Sequence, residues 1–332
     1  MSILTENFRT KLSVLRWAIA VSAALGVLPV TAQLLPTRLT NPIYVQSTGI
    51  PGTPAAKATL IADAGFNGMA WEEATSGLPE VLKTLHQRGK GLVGLWRNPQ
   101  FDLAGDIAAL DTAGPYVFMY VPLKMYGTDA QVAAAVAAAA DRLAPSGRKI
   151  AIYPHAPDYV SNSLDAVRIA KLANRANVGI SFNLCHELMY CSVHHLSFQP
   201  RFDSLTRNFM PYVFTASISG GDSVGDNWGV LIRPLGEGTF DTFGVVKTLM
   251  DKNFKGPFLL QAYGLTQDAK THLAKSMTVW KDYQKKLPAP VTLLKVAPVR
   301  PGTPGISRFD LQGRTHIRKP VLSSVYTVSR PR

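Results

Sequence analysis

Six side chains able to move a proton lie where an apolar run gives way to a polar loop: Glu72, Glu73, His155, His186, Asp222 and Glu237. An imidazole titrates near neutral pH, and burial can tune a carboxylate towards it, so His155, His186 and Glu72 are the candidate general acids and bases. In Tyr153-Pro154-His155 the phenol and the imidazole are two residues apart and share one face of an extended segment. Ser181, Asn183 and Cys185 form a similar row with His186 just beyond it, and Leu259, Gln261 and Tyr263 form a third. Trp71-Glu72-Glu73 closes a short apolar run, Asp222 sits in the polar loop 217–223, and Glu237 stands between Gly236 and Gly238, where it is expected to brace a turn.

A second cluster, Cys185, His186, Cys191, His194 and His195, falls within eleven residues. Cysteine and histidine together are zinc ligands, but this spacing matches no standard finger. A local Cys185–Cys191 disulfide and two inert buried thiols are the other readings. Two cysteines in 332 residues exclude a disulfide-stapled scaffold.

Between residues 41 and 287 short apolar runs alternate with helix-like stretches, the pattern of a parallel sheet covered by helices. Strands are expected at 43–47, 68–71, 91–96, 116–122, 149–153, 178–183, 212–217 and 258–262. Helices are expected at 55–64, 77–88, 103–112, 129–143, 163–173, 241–252 and 267–286. Eight parallel strands with interposed helices in about 245 residues predict an α/β fold of the (β/α)8 TIM barrel type. An open doubly wound sheet is the alternative, disfavoured because no GxGxxG or Walker sequence follows any run. In a barrel the working groups sit at the C-terminal strand ends.

The hydrophobic share is 46% and the charged share 17%, enough for a sizeable core. Residues 1–32 carry three basic and one acidic side chain and residues 291–332 eight and one, leaving the middle at +4 of the total +13. No basic run marks a nucleic-acid face. Arg9, Lys11 and Arg16 precede an uncharged stretch from 17 to 30 and small residues up to Ala32, which reads as a signal peptide at 1–32. The expected product is exported, to the periplasm or the cell surface, with no membrane span after cleavage. The barrel is assigned to 33–290, and 291–332 to a Pro-rich linker and a basic tail. That tail resembles the C-terminal sorting segments of some secreted bacterial proteins through Phe309-Asp310-Leu311-Gln312-Gly313-Arg314 and Val325-Tyr326; a docked or disordered basic tail is the other reading.

The run Arg233 to Asp241, Lys255-Gly256-Pro257 and the apolar segment from Phe258 to Gly264 resemble the last units of the xylose isomerase-like barrels, the sugar isomerase and epimerase superfamily. Asn177 to His186 resembles that family's sixth strand, which ends in Asp-x-x-His. The resemblance implies a small-molecule sugar substrate, a substrate-contacting role for His186, and a divalent metal held by Glu, Asp, His and Glu. Those positions fall on Tyr153, Asn183, Ser217 or Ser219, and Gln261, all neutral, so neither the usual metal nor any other cofactor is expected. His155, His186 and Glu72 remain as catalytic candidates. Tyr153, Asn183, Gln261, Trp71, Tyr263 and Asp222 are expected to bind substrate, with Trp96, Tyr126 and Trp228 as further stacking surfaces. The function implied is a sugar isomerase or epimerase working by proton transfer. A non-catalytic carbohydrate-binding barrel and a surface-interaction protein are the alternatives.

Overall fold

The computed structural model describes residues 37–99, 114–122 and 127–289. The expected signal peptide, the helix expected at 103–112, Tyr126 and the C-terminal tail lie outside the described residues.

Eight parallel strands close into a barrel in sequence order. They are β1 (Ile43–Gln46), β2 (Gly68–Trp71), β3 (Gly91–Arg97), β4 (Tyr116–Met119), β5 (Lys149–Ile152), β6 (Val178–Asn183), β7 (Val213–Ile218) and β8 (Phe258–Leu260). Closure comes from β1 pairing with β8, Ile43 opposite Phe258. The described helices are α1 (Pro54–Asp63), α2 (Leu78–Gln87), α3 (Asp129–Leu143), α4 (Ser163–Ala173), α5 (Leu184–Val193), α6 (Phe198–Asn208), α7 (Trp228–Leu231), α8 (Thr242–Asp251) and α9 (Ala269–Lys286).

Local signals set the helix starts. Thr53, Thr128, Asn162, Asp241 and Asp268 each accept an amide N–H of the first turn, which satisfies a donor the helix itself leaves unpaired. Three helices begin where none is expected from the sequence. α5 starts directly at the end of β6 with no loop, so Cys185 does not continue a strand row but enters a helix. α6 and the one-turn α7 fill the connections on either side of β7.

Alternation along the strands divides the core in two. Outward side chains such as Val45, Val117, Ile152 and Phe182 pack against the helices in one large cluster. Ala70, Val93, Trp96, Tyr116, Phe118, Ala151, Tyr153 and Leu259 fill the barrel interior. A register shift opposite Met69 and Ala70 in the β2–β3 pairing skips Val93, which rephases β3 so that Trp96 rather than Leu95 joins the interior. At Gly68, φ is +146° and a Cβ would lie 1.7 Å from the Gly91 carbonyl oxygen, so only glycine lets β2 start this close to β3.

Candidate functional site

Groups following the C-terminal strand ends converge on a cavity of about 380 Å³. Thr48 comes from the end of β1, Glu72 from β2, Trp96 from β3, Tyr120 from β4, and Tyr153, His155 and Asp158 from β5. His186 opens α5 beyond β6, Trp228 and Ile232 come from the β7–β8 connection, and Gln261 and Tyr263 follow β8. Lysine and arginine are absent from its described lining.

The floor is a ring of neutral polar groups. Gln46 Nε2 donates to Ser217 Oγ at 2.8 Å and to the Tyr153 hydroxyl at 3.1 Å, and Gln261 Nε2 donates to the same hydroxyl at 3.3 Å. Gln261 Oε1 accepts from the Ala262 and Tyr263 amides. Asn183 lies below the cavity wall, donating to the Pro154 carbonyl and accepting from the Cys185 thiol. Ser217 rather than Ser219 therefore joins the ring, because the Ser219 hydroxyl turns to the Leu231 carbonyl. A divalent cation of the Mg²⁺ or Mn²⁺ type needs oxygen ligands with negative charge. These residues offer amides and hydroxyls whose oxygens and protons are already engaged with one another, and the donor set does not fit such an ion. The described residues contain no group of three or more His, Cys, Asp or Glu arranged to hold a metal.

Above the ring lie the titratable groups. Burial and the adjacent Glu73 carboxylate raise the Glu72 carboxyl to about 8, with Lys57 opposing the rise. Lys57 itself is committed to a salt bridge with Glu73. Glu72 is thus a neutral carboxylic acid at pH 7. His186 accepts the Ala156 amide proton at Nδ1 over 2.8 Å, which puts its own proton on Nε2. Burial, and His155 with its ring 4.6 Å away, hold His186 well below the usual imidazole range, so it stays neutral. The Trp228 ring also packs against it, with centroids 4.7 Å apart. His155 stands at the rim, its side chain 48% exposed, and its Nδ1 lies 3.1 Å from Asp158 Oδ2.

Two adjacent residues of α5 hold the loop that carries His155 and Asp158. His186 takes the Ala156 amide near its start, and the Glu187 carboxylate takes the Ser163 amide at its end. Glu187 is buried and paired with Arg201, whose guanidinium also reaches Asn162 Oδ1 at 2.8 Å.

The cavity brings together Glu72, Tyr153, His155, His186, Gln261 and Tyr263 of the residues expected from the sequence, with Trp96 and Trp228. Three residues expected to bind substrate lie outside the lining: Asn183, fully buried with its amide committed to the Pro154 carbonyl, Trp71 and Asp222. Trp71 is 1% exposed and belongs to the outer core, with Nε1 donating to the Ala74 carbonyl, because alternation turns Ala70 and Glu72 inward instead. Asp222 is tied to Arg233 at 2.5 Å and to the Thr239 amide, so it braces the β7–β8 connection outside the cavity lining. Glu237 pairs with Lys275, as a turn brace does. Cys185 and Cys191 are free and buried, and burial pushes their thiols up to about 12 and about 11, away from reactivity. Sequence reasoning missed Gln46, although it is two residues from the inward Tyr44, and Asp158, although it is three residues from His155.

A sequence model of the family described as xylose isomerase-like TIM barrel matches residues 114–283. This chain belongs to that family. Solved structures share its fold at low identity. A xylose isomerase-like TIM barrel/4-hydroxyphenylpyruvate dioxygenase fusion protein aligns over 76% of this chain with a TM-score of 0.60 and 12% identity; the match spans 46% of that longer chain. An L-ribulose 3-epimerase aligns over 75% of this chain and 96% of its own, with a TM-score of 0.58 and 11% identity. A 3-keto-D-glucoside 4-epimerase from E. coli aligns over 73% and 98%, with a TM-score of 0.56 and 14% identity. No curated protein sequence matches.

Proposed function

We propose that this chain is a sugar isomerase or epimerase that works by proton transfer on a sugar or keto-sugar, without a divalent metal. The observation that carries the reading is the convergence on one cavity of a protonated Glu72, a neutral His186 with its proton on Nε2, and the His155–Asp158 pair at the rim.

The step they support is proton exchange at the carbon next to a carbonyl. His155 Nε2 takes the proton from that carbon, Asp158 steadies the imidazolium that forms, and the electron pair moves onto the carbonyl oxygen as an enolate. His186 Nε2–H donates to that oxygen, the task a cation performs where one is bound. Glu72 returns a proton to carbon, and solvent exchange at both groups restores their starting forms. β2 and β5 lie three strands apart around an eight-strand ring, so acid and base approach the substrate from well-separated sides, as inversion requires. Tyr120, Trp228 and Tyr263 supply flat surfaces for sugar rings. Family membership and the fold shared with sugar epimerases support the substrate class.

The test is a panel of sugars and keto-sugars incubated with the protein in D2O, read by NMR for carbon-bound deuterium. Exchange abolished by His155→Ala supports the reading. Sugar binding by calorimetry with no exchange on any member overturns it in favour of a carbohydrate-binding barrel, which the neutral floor would also serve. Export is part of the proposal, supported by the basic and apolar pattern of residues 1–32. Amino-terminal sequencing of protein recovered outside the cytoplasm should begin at Gln33.

A further inference from the structure

The opposite, N-terminal end of the barrel carries a second hollow, of about 450 Å³, that the proposed chemistry does not use. Lys149 enters it from the first residue of β5, Lys252 and Lys255 from the loop between α8 and β8, and its lining contains no carboxylate among the described residues. None of the three ammonium groups has a carboxylate partner among the described residues; Lys149 lies 5.2 Å from the Phe214 ring centroid. Asp251, next in sequence to Lys252, is occupied by Arg38 and Lys247.

The loop that presents Lys252 and Lys255 is held in place. Asn41 Nδ2 donates to the carbonyls of Phe254 and Gly256, at 3.2 and 2.8 Å. Asn253 has φ +60°, a left-handed turn that asparagine tolerates. Gly256 sits so close to β7 that a Cβ would lie 1.9 Å from the Phe214 carbonyl oxygen. The lysines thus project from a fixed backbone over a concave surface, with only side-chain freedom left to lose on binding. Three uncompensated cations converging on a hollow repel one another, and a bound anion relieves that repulsion.

We propose that this hollow is a binding site for a compact ligand bearing two or more oxyanions, as phosphate, sulfate or carboxylate, distinct from the sugar cavity at the other end. The test is calorimetric titration of the full chain at low ionic strength with inorganic pyrophosphate and with trigalacturonate, using neutral maltotriose as the reference. Binding of either anion, weakened about tenfold or more by Lys252→Ala with Lys255→Ala, is the expected result. The charge-matched pair Lys83→Ala with Lys270→Ala, on other surfaces, should leave affinity unchanged. Pyrophosphate binding alone identifies a phosphate ligand, and trigalacturonate binding alone an acidic saccharide; either supports the site. The proposal is overturned if neither anion binds, or if the two double variants weaken binding equally, which would mean that only the overall positive charge is felt. Deuterium exchange at the sugar cavity should not differ between the two double variants, so failure of one site is separable from failure of the other.

Discussion

Glu72 links activity to stability through a single proton. Its carboxyl stays protonated in the folded protein until about pH 8, while in the unfolded chain it ionises in the ordinary carboxylate range near 4.5. Between those values the folded state binds more protons than the unfolded state, so stability falls as pH rises through the window and levels off above it. Glu72→Gln removes this loss, and thermal melts should show the variant gaining on the parent at pH 8 relative to pH 4; an identical difference at both pH values would contradict the assignment. On the proposed mechanism the same substitution removes the proton donor, and turnover should fall by about 100-fold, with the alkaline limb near pH 8 disappearing from the kcat/KM profile. Asp158 acts through His155 and is a positioning residue. Asp158→Asn should lower kcat on the order of 100-fold with little change in KM. In 15N spectra the His155 ring signals should change with the loss of its Asp158 contact, a change that a purely structural role would not produce.

At the scale of elements, α5 does the work that a long active-site loop does not do for itself. Starting without a linker at Asn183, it places His186 and Glu187 so that each receives one amide of the loop from 154 to 163. The buried Glu187–Arg201 pair is stabilising only as a pair, because a lone buried charge keeps its desolvation cost. Glu187→Gln should therefore destabilise the protein by about 3 kcal/mol, measured by urea unfolding. Hydrogen exchange at the Ser163 amide should accelerate more than at amides in α9. If both rise together, the loop is not held locally by this contact.

For the molecule as a whole, chemistry is divided between the two ends of one barrel: a neutral and acidic cavity above, unpaired lysines below. The ring of Gln46, Tyr153, Ser217 and Gln261 occupies the level at which the family resemblance implies metal ligands, and its groups satisfy one another. Prolonged chelation should leave turnover unchanged, and elemental analysis of the purified protein should find no stoichiometric divalent ion; one ion per chain lost together with activity would refute the metal-free mechanism. Among the described residues no helix is long and apolar enough to cross a membrane.

The alternation of apolar runs and helix-like stretches by itself pointed to the eight strands and to a cavity at their C-terminal ends, because strand and helix periods are local properties of the chain. It also pointed to Tyr153, His155, Gln261 and Tyr263, which follow directly on the ends of β5 and β8. Other features depended on contacts distant in sequence. The β3 shift that turns Trp96 inward is a feature of pairing with β2, and the loss of Asp222 to Arg233 is a salt bridge within the β7–β8 connection. The inward place of Gln46 becomes meaningful only once Tyr153 and Ser217, more than 100 residues away, are beside it. Barrel closure decided these partners, and with them the protonation states of Glu72 and His186, because burial and neighbouring charge exist only in the folded chain.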